Sequence, residues 1–219
     1  MNSNVTSRQE YIPALRFRFL TPLYDTTLKY IMRERHYKQK LNSIIPAGAR
    51  QILDLGCGTG TLTAMIKHSH PASDIVGIDI DSEVLQRAQE KAARGSLRIH
   101  FQLGNILQLP FENNSFDAAV SCLVLHHLKT VDKQKALHEI FRVLQPGGML
   151  LLADFSTPHN LAMMGVTTVT QHFEETYDNF HGRLLEFIPN AGFINLSVDS
   201  NFSTPIGTVS IITSLKPTN

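Results

Sequence analysis

The sequence predicts an α/β domain, a doubly wound and mostly parallel sheet of seven strands that closes with an antiparallel C-terminal hairpin. Three observations carry this. Short apolar runs alternate with amphipathic segments through the middle of the chain, the pattern of consecutive βαβ units. A glycine-rich turn, with Gly56, Gly58 and Gly60, stands between the first such run and the helix after it. The last two apolar runs are joined by a connection too short to hold a crossover helix.

Taken in order, residues 26–45 place Leu28, Ile31, Met32, Leu41, Ile44 and Ile45 at partly helical spacing, and Pro46-Ala47-Gly48 ends that helix. Residues 1–45 therefore read as an N-terminal helical cap segment and 46–219 as the main domain. Strands are expected at 51–55, 74–80, 97–103, 116–123 and 149–154, with helices at 61–68, 82–93 and 132–144. In the last of these helices Leu137, Ile140, Phe141 and Leu144 form one stripe for the sheet. Pro146-Gly147-Gly148 should stop it and turn the chain into the buried run Met149-Leu150-Leu151-Leu152. The alternation then breaks. Residues 156–176, with Pro158, Gly165 and several Thr, read as an irregular or short-helical insertion placed like a lid. A helix over 177–190 follows, and strands 193–201 and 207–215 flank Ser203-Thr204-Pro205-Ile206.

A chain of 219 residues with 42% hydrophobic content is enough for one such domain and a substantial core. Twenty Lys and Arg against 19 Asp and Glu leave a formal charge of +1, which argues against a nucleic-acid partner held by phosphate contacts. The first residues are polar and lack the apolar run of a secretory signal. No stretch approaches the roughly 20 apolar residues that span a bilayer. Two cysteines make neither a disulfide framework nor a metal pattern, so a reducing, cytoplasmic setting is expected, with no metal.

The turn carries the first functional signal. Without Cβ atoms, glycines let the backbone amides of a strand-to-helix loop approach a ligand. About twenty residues on, at the end of the next strand, Asp79 stands where doubly wound folds grip ribose hydroxyls. Asp54 just before the loop would repel a pyrophosphate but suits a cationic or zwitterionic ligand. The pattern is GxGxG, not GxGxxG. Both details point to a nucleoside bearing an amino acid and a sulfonium.

The motifs Asp54-Leu55-Gly56-Cys57-Gly58-Thr59-Gly60, Gly77-Ile78-Asp79-Ile80-Asp81, Gly104-Asn105-Ile106-Leu107-Gln108-Leu109-Pro110-Phe111, Ser115-Phe116-Asp117 and Arg142-Val143-Leu144-Gln145-Pro146-Gly147-Gly148 follow one another. Together they resemble the class I S-adenosylmethionine-dependent methyltransferases, Rossmann-like in fold. The resemblance is strongest to the branch of the ubiquinone/menaquinone C-methyltransferases, and it runs from about Tyr24 to Phe155.

It implies S-adenosyl-L-methionine as cofactor and S-adenosyl-L-homocysteine as product. Gly56, Gly58 and Gly60 would pass under the cofactor, with Asp54 near its amino group and Asp79 on the ribose. Ile80 would pack on the adenine, with Asn105 and Ile106 bordering its other side. Ser121 or Cys122 would hold the methionine portion by main-chain contacts. Tyr24, which matches a Tyr-Asp pair in some members, would help close the site. Asp81 reads as a helix cap. Cys57 and Cys122 read as small packing residues, since no cation stands beside them in the sequence to favour a thiolate.

His126 and His127 follow the fourth strand, at the sheet end where ligands bind, and imidazole suits proton removal near neutral pH. They are the candidate general bases. His159, His172, Glu174, Glu175 and His181 match no defined metal-ligand spacing and read as pocket lining or solvated loop. The expected partner is a small-molecule methyl acceptor, aromatic or quinone-like, or an amine. The quinone enzymes carry an Arg-Asn pair where this chain has His126-His127, which keeps a phospholipid amine open as acceptor. Ser121-Cys122-Leu123-Val124 is not the Asn/Asp-Pro-Pro-aromatic tetrapeptide of base-amine methylation. A membrane surface has in its favour only the aromatic stretch before residue 25 and the basic run Arg33 to Lys40. A non-catalytic cofactor-binding protein is the further alternative.

Overall fold

The computed structural model describes residues 34–170 and 176–218. Tyr24 and most of the expected cap lie outside them. The chain runs α1 (Glu34–Ser43), β1 (Gln51–Leu55), α2 (Thr61–Ser69), β2 (Asp74–Asp79), α3 (Ser82–Arg94), β3 (His100–Leu103) and β4 (Phe116–Cys122). A 3-10 turn, Leu125–His127, leads to α4 (Thr130–Val143), β5 (Leu144–Ser156), α5 (Leu161–Thr170), α6 (Tyr177–Phe180), α7 (Arg183–Asn190), β6 (Ile194–Ser203) and β7 (Thr208–Leu215).

The seven strands form one sheet in the order β3-β2-β1-β4-β5-β7-β6. β1 to β5 pair in parallel, and β7 is antiparallel to both β5 and β6. Alternation along β1 sorts the two faces. Leu53 and Leu55 join the core under α4 and α7, with Leu137, Ile140, Leu184 and Ile188. Ile52 faces the other way, toward Tyr37 and Leu41 of α1 and Leu62 and Ile66 of α2. Each such fully buried Leu or Ile contributes about 1.5–3 kcal/mol. Helix α1 is thus seated in the core.

Two recurrent motif residues turn out to be fasteners. The Asp117 carboxylate accepts from the amides of Arg50 and Gln51, at 2.7 and 2.8 Å, and ties the start of β4 to β1. Arg142 donates to the carbonyls of Leu109 and Phe111, at 2.9 and 2.7 Å, and holds the loop before β4 against α4.

The differences from the sequence expectation have local causes. The strand expected from residue 97 begins at His100, because Leu97 is spent on the end of α3. Its amide bonds the Ala92 carbonyl while that of Ser96, at φ 52°, bonds Ala93, a Schellman closure with Ser in the glycine place. Pro146-Gly147-Gly148 does not separate helix from strand. Helix α4 ends at Val143, and β5 starts at once and passes through the motif with a register shift against β4. On the other side the ladder continues, Gly147 donating to Lys216 and Lys216 to Gly148.

The helix expected over 177–190 is two, since Gly182 sits at φ 75° between them. In the insertion, Asn160 caps Met163 at 2.9 Å and opens the regular helix α5. None of the described helices is long and apolar enough to cross a membrane.

Candidate functional site

The carboxyl ends of β1, β2, β4 and β5 share one rim. In register Leu55 lies level with Ile78 and Ser121, and Ser121 with Leu152. Gly56, Asp79, Cys122 and Asp154 therefore emerge together, where ligands of open parallel sheets bind.

All three loop glycines have positive φ, 64° at Gly56, 51° at Gly58 and 69° at Gly60. They differ in what a Cβ would meet. At Gly56 it would come within 2.4 Å of Val124, and at Gly60 within 2.9 Å of Ala88. At Gly58 it would meet nothing within 4 Å among the described residues. Gly56 and Gly60 are glycine because the fold is tight there, whereas Gly58 leaves open space over the loop. Asp79 holds the loop from behind. Its Oδ2 accepts from Gly58 N at 2.8 Å and its Oδ1 from Asp81 N at 3.0 Å. Asp81 caps α3 through Glu83 N, as expected.

Asp54 is buried and accepts from the Thr63 hydroxyl at 2.6 Å. Burial pushes its carboxyl up to about 6, against the pull of Thr63 and Lys38. Lys38, ion-paired with Glu34 on α1, brings positive charge toward Asp54 and Cys122. In the sequence that lysine belongs only to the basic run Arg33 to Lys40. The Ser121 hydroxyl donates to the Leu55 carbonyl at 3.4 Å. Burial drives both thiols upward, Cys122 to about 12, so neither is a thiolate at neutral pH.

Toward β3 the rim is apolar and open. Ile80 is 53% exposed, and Leu103, which the sequence reading passed over, is 58% exposed beside it. Asn105 spends its Oδ1 on the Leu107 amide at 2.9 Å, and Ile106 packs against the core.

The opposite side of the rim is built from side chains. Leu123 takes φ 57°, a left-handed conformation unfavourable for a bulky residue, and turns the chain from β4 into the Leu125–His127 turn. His126 is thereby buried, with Nδ1 2.9 Å from Oδ1 of Asp154, and its ring meets Phe155 edge-on. His127 is exposed, its ring centroid 4.0 Å from that of His126.

Asp154 was visible only as a strand end, although an acid closing the run Met149-Leu150-Leu151-Leu152-Ala153 was the available signal. Its carboxylate also accepts from the amides of Leu125 and Phe155, at 2.9 and 2.7 Å, and from the Asn179 amide group at 3.3 Å. Burial alone would raise it, but His126, the Phe155 amide and His127 hold it below the usual carboxylate range. Tyr37 adds a buried hydroxyl that has no partner among the described residues.

Of the remaining polar candidates, His159 is 2.8 Å from the Thr208 hydroxyl and His181 stacks on Tyr177. Residues 172, 174 and 175 lie outside the described segments. No group of metal-ligating side chains occurs among the described residues. A hollow lined by Pro46, Ala49, Asp117 and Pro146 lies at the amino ends of β1 and β4, away from this rim.

A glycine cradle at the carboxyl rim of a doubly wound sheet, with a carboxylate ending the next strand, defines a nucleoside-binding α/β domain. The methyltransferase-domain family model matches residues 52–148. A demethylmenaquinone methyltransferase of Thermus thermophilus is 32% identical over 145 residues, 65% of this chain and 65% of its own. The ubiquinone/menaquinone biosynthesis C-methyltransferase of Syntrophotalea carbinolica is 30% identical over 169 residues, 76% of this chain and 70% of its own. The chain belongs to the class I S-adenosylmethionine-dependent methyltransferases, in the branch of the quinone C-methyltransferases.

The matches span 65%, 62% and 59% of the length of three curated relatives. Among solved structures, a SAM-dependent methyltransferase of Methanosarcina mazei superposes with TM-score 0.66 at 22% identity, over 82% of this chain and 98% of that one. The cyclase SpnF reaches 0.68 at 21%, over 85% and 82%. At such identities these two speak for the fold alone.

Proposed function

We propose that this protein transfers a methyl group from S-adenosylmethionine to a hydroxylated aromatic acceptor of the hydroquinone type. The observation that carries the reading is the meeting, on one rim, of the glycine cradle with the buried His126 and Asp154. The relatives named for demethylmenaquinone and ubiquinone/menaquinone methylation favour this acceptor class over amines and over a non-catalytic role.

The residues fit the cofactor. The space above Gly58 would take its amino-acid end, with buried Asp54 toward the ammonium and the backbone around Ser121 and Cys122 supporting the chain. Asp79 would offer its remaining lone pairs to the ribose hydroxyls. Ile80 and Leu103 would give the adenine an apolar floor, Asn105 would turn its amide nitrogen to the ring edge, and Ile106 would border the far side. When bound, the cofactor supplies an electrophilic methyl group on sulfur, whose displacement leaves a neutral thioether. The protein's share is alignment and exclusion of water, with the insertion helix α5 as a cover, and removal of the acceptor's proton by His126, or by His127 beside it.

Two measurements test this. Calorimetry with S-adenosylhomocysteine should show one site, and radiolabelled methyl transfer should go to reduced, ring-unmethylated quinones. Binding of S-adenosylhomocysteine with transfer only to amines would overturn the acceptor class.

A further inference from the structure

We propose that Asp154, braced by Asn179, is a positioning residue that fixes His126 as its Nδ1–H tautomer and so makes Nε2 the atom that takes the acceptor's proton. The inference rests on the functional reading above for the acceptor and for the role of His126 as base.

The direction of the bond follows from counting donors. Asp154 Oδ2 accepts from the Leu125 amide at 2.9 Å. Its Oδ1 accepts from the Phe155 amide at 2.7 Å and from Asn179 Nδ2 at 3.3 Å, and it faces His126 Nδ1 at 2.9 Å. Three N–H donors converging on a buried carboxyl favour its ionised form. An ionised carboxylate offers His126 only lone pairs, so Nδ1 must carry the hydrogen.

The orientation of Asn179 agrees with that charge. Both of its Nδ2 contacts are to acceptors, Asp154 Oδ1 and the Phe155 carbonyl at 3.2 Å. Its own Oδ1 is buried with no donor among the described residues. Leaving a buried carbonyl unmatched costs about 1–3 kcal/mol. The opposite orientation would press that oxygen against the Asp154 carboxylate and the Phe155 carbonyl. A negative Asp154 makes the observed orientation the better one.

The geometry also separates the two histidines. His126 is held by a carboxylate from a neighbouring strand, and its ring is wedged between Phe155 and His127, with centroids at 4.8 and 4.0 Å. With Nδ1 occupied, the lone pair of neutral His126 lies on Nε2. In the reaction the acceptor's O–H bond breaks and its proton passes to Nε2. The electron pair left on oxygen, delocalised to the adjacent ring carbon, forms the new bond to the methyl group as the carbon–sulfur bond breaks toward sulfur. The ring carbon then gives its hydrogen to water as Nε2–H returns its proton to the ring oxygen. One proton leaves overall.

The test is the imidazole nitrogen spectrum of 15N-histidine protein at a pH where the ring is neutral, with His126 assigned by loss of its signals in His126→Asn. The wild type should show Nδ1 protonated and Nε2 unprotonated. In Asp154→Ala no carboxylate is left to accept from Nδ1, so the hold on the Nδ1–H tautomer should be lost and signals of the Nε2–H tautomer should appear. Turnover on a hydroquinone should then fall roughly 10²-fold, the lower end of a general-base contribution. Affinity for S-adenosylhomocysteine should stay unchanged, and Asp154→Glu should restore part of the rate.

A wild-type ring protonated at Nε2 overturns the proposal, as does an unchanged tautomer or undiminished turnover in Asp154→Ala. Should Asp154→Ala fail to fold, the wild-type spectrum still decides. The expected tautomer in a protein that methylates no hydroquinone upholds the positioning role and overturns the acceptor reading instead.

Discussion

The two sides of the rim are made differently. The side proposed for the cofactor, from β1 to β3, is a matter of backbone: three glycines at positive φ, a loop bonded to Asp79, and apolar strand ends at Ile80 and Leu103. The side proposed for the acceptor, around β4 and β5, depends on side chains drawn from distant segments. His126, Asp154 and Asn179 meet there through single hydrogen bonds across 25 and 28 positions of sequence. A backbone cradle tolerates variation around it but not within it. A side-chain cluster can be changed residue by residue, which is how one fold serves many acceptors.

If that division is right, substitutions on the two sides should separate binding from turnover. The largest effect is expected at His126. His126→Asn should lower turnover by about 10²–10⁴-fold, the span of general acid–base catalysis, with affinity for S-adenosylhomocysteine unchanged. His127→Ala should cost far less. Equal losses in both variants would dismiss the assignment of the base to one ring.

Asp79→Ala comes next. Losing charge-assisted hydrogen bonds to two ribose hydroxyls should weaken S-adenosylhomocysteine by roughly 10²-fold in calorimetry, with the melting transition still cooperative. An unchanged affinity would remove Asp79 from the ribose.

The glycines sharpen the comparison within one loop. Gly56→Ala forces a Cβ to within 2.4 Å of Val124 at φ 64°, and should destabilise the fold by about 2–4 kcal/mol. Gly58→Ala meets no such contact. It should cost only the left-handed backbone term of about 1–2 kcal/mol while weakening the cofactor. Denaturant melts and binding isotherms on the two variants would show the opposite ordering if Gly58 were the packed position.

The smallest effect concerns pH. Burial lifts Asp54 to about 6, above its value in the unfolded chain. Between roughly pH 4 and pH 6 the folded protein therefore holds a proton that the unfolded chain has released, and stability falls as pH rises through that window. A ligand ammonium beside Asp54 would favour the ionised form. Binding S-adenosylhomocysteine should release a fraction of a proton near pH 5.5 and none near pH 8, measured by calorimetry in buffers of different ionisation enthalpy. Asp54→Asn should abolish the release. No release in the parent protein would place the ammonium elsewhere.

What could be read in advance follows the same division. Gly56, Gly58, Gly60 and Asp79 are legible because a turn, a strand and a fixed spacing encode them locally. The sheet is legible because apolar runs alternate with helices. Asp154 was not, since its role exists only when β5 lies beside the turn after β4. Lys38 was only one cation of a basic run, because helical spacing alone does not show that its charge acts on Asp54. The missed boundaries were decided by single backbone conformations, at Ser96 and Gly182, that compete with hydrophobic periodicity. Asp117 and Arg142, conspicuous in the motifs, are fasteners of loops and strands.

The packing of Val124 over Gly56 carries one more consequence. Val124 is the residue from which the His126 turn begins, so any shift of the glycine loop on binding a ligand would press directly on that turn. Whatever factor such a shift added to the affinity of a second ligand beside His126, that ligand would return to the first, because linkage between two binding equilibria is reciprocal. One valine methyl group in a glycine's empty place would thus make two ligands of the rim each other's effectors.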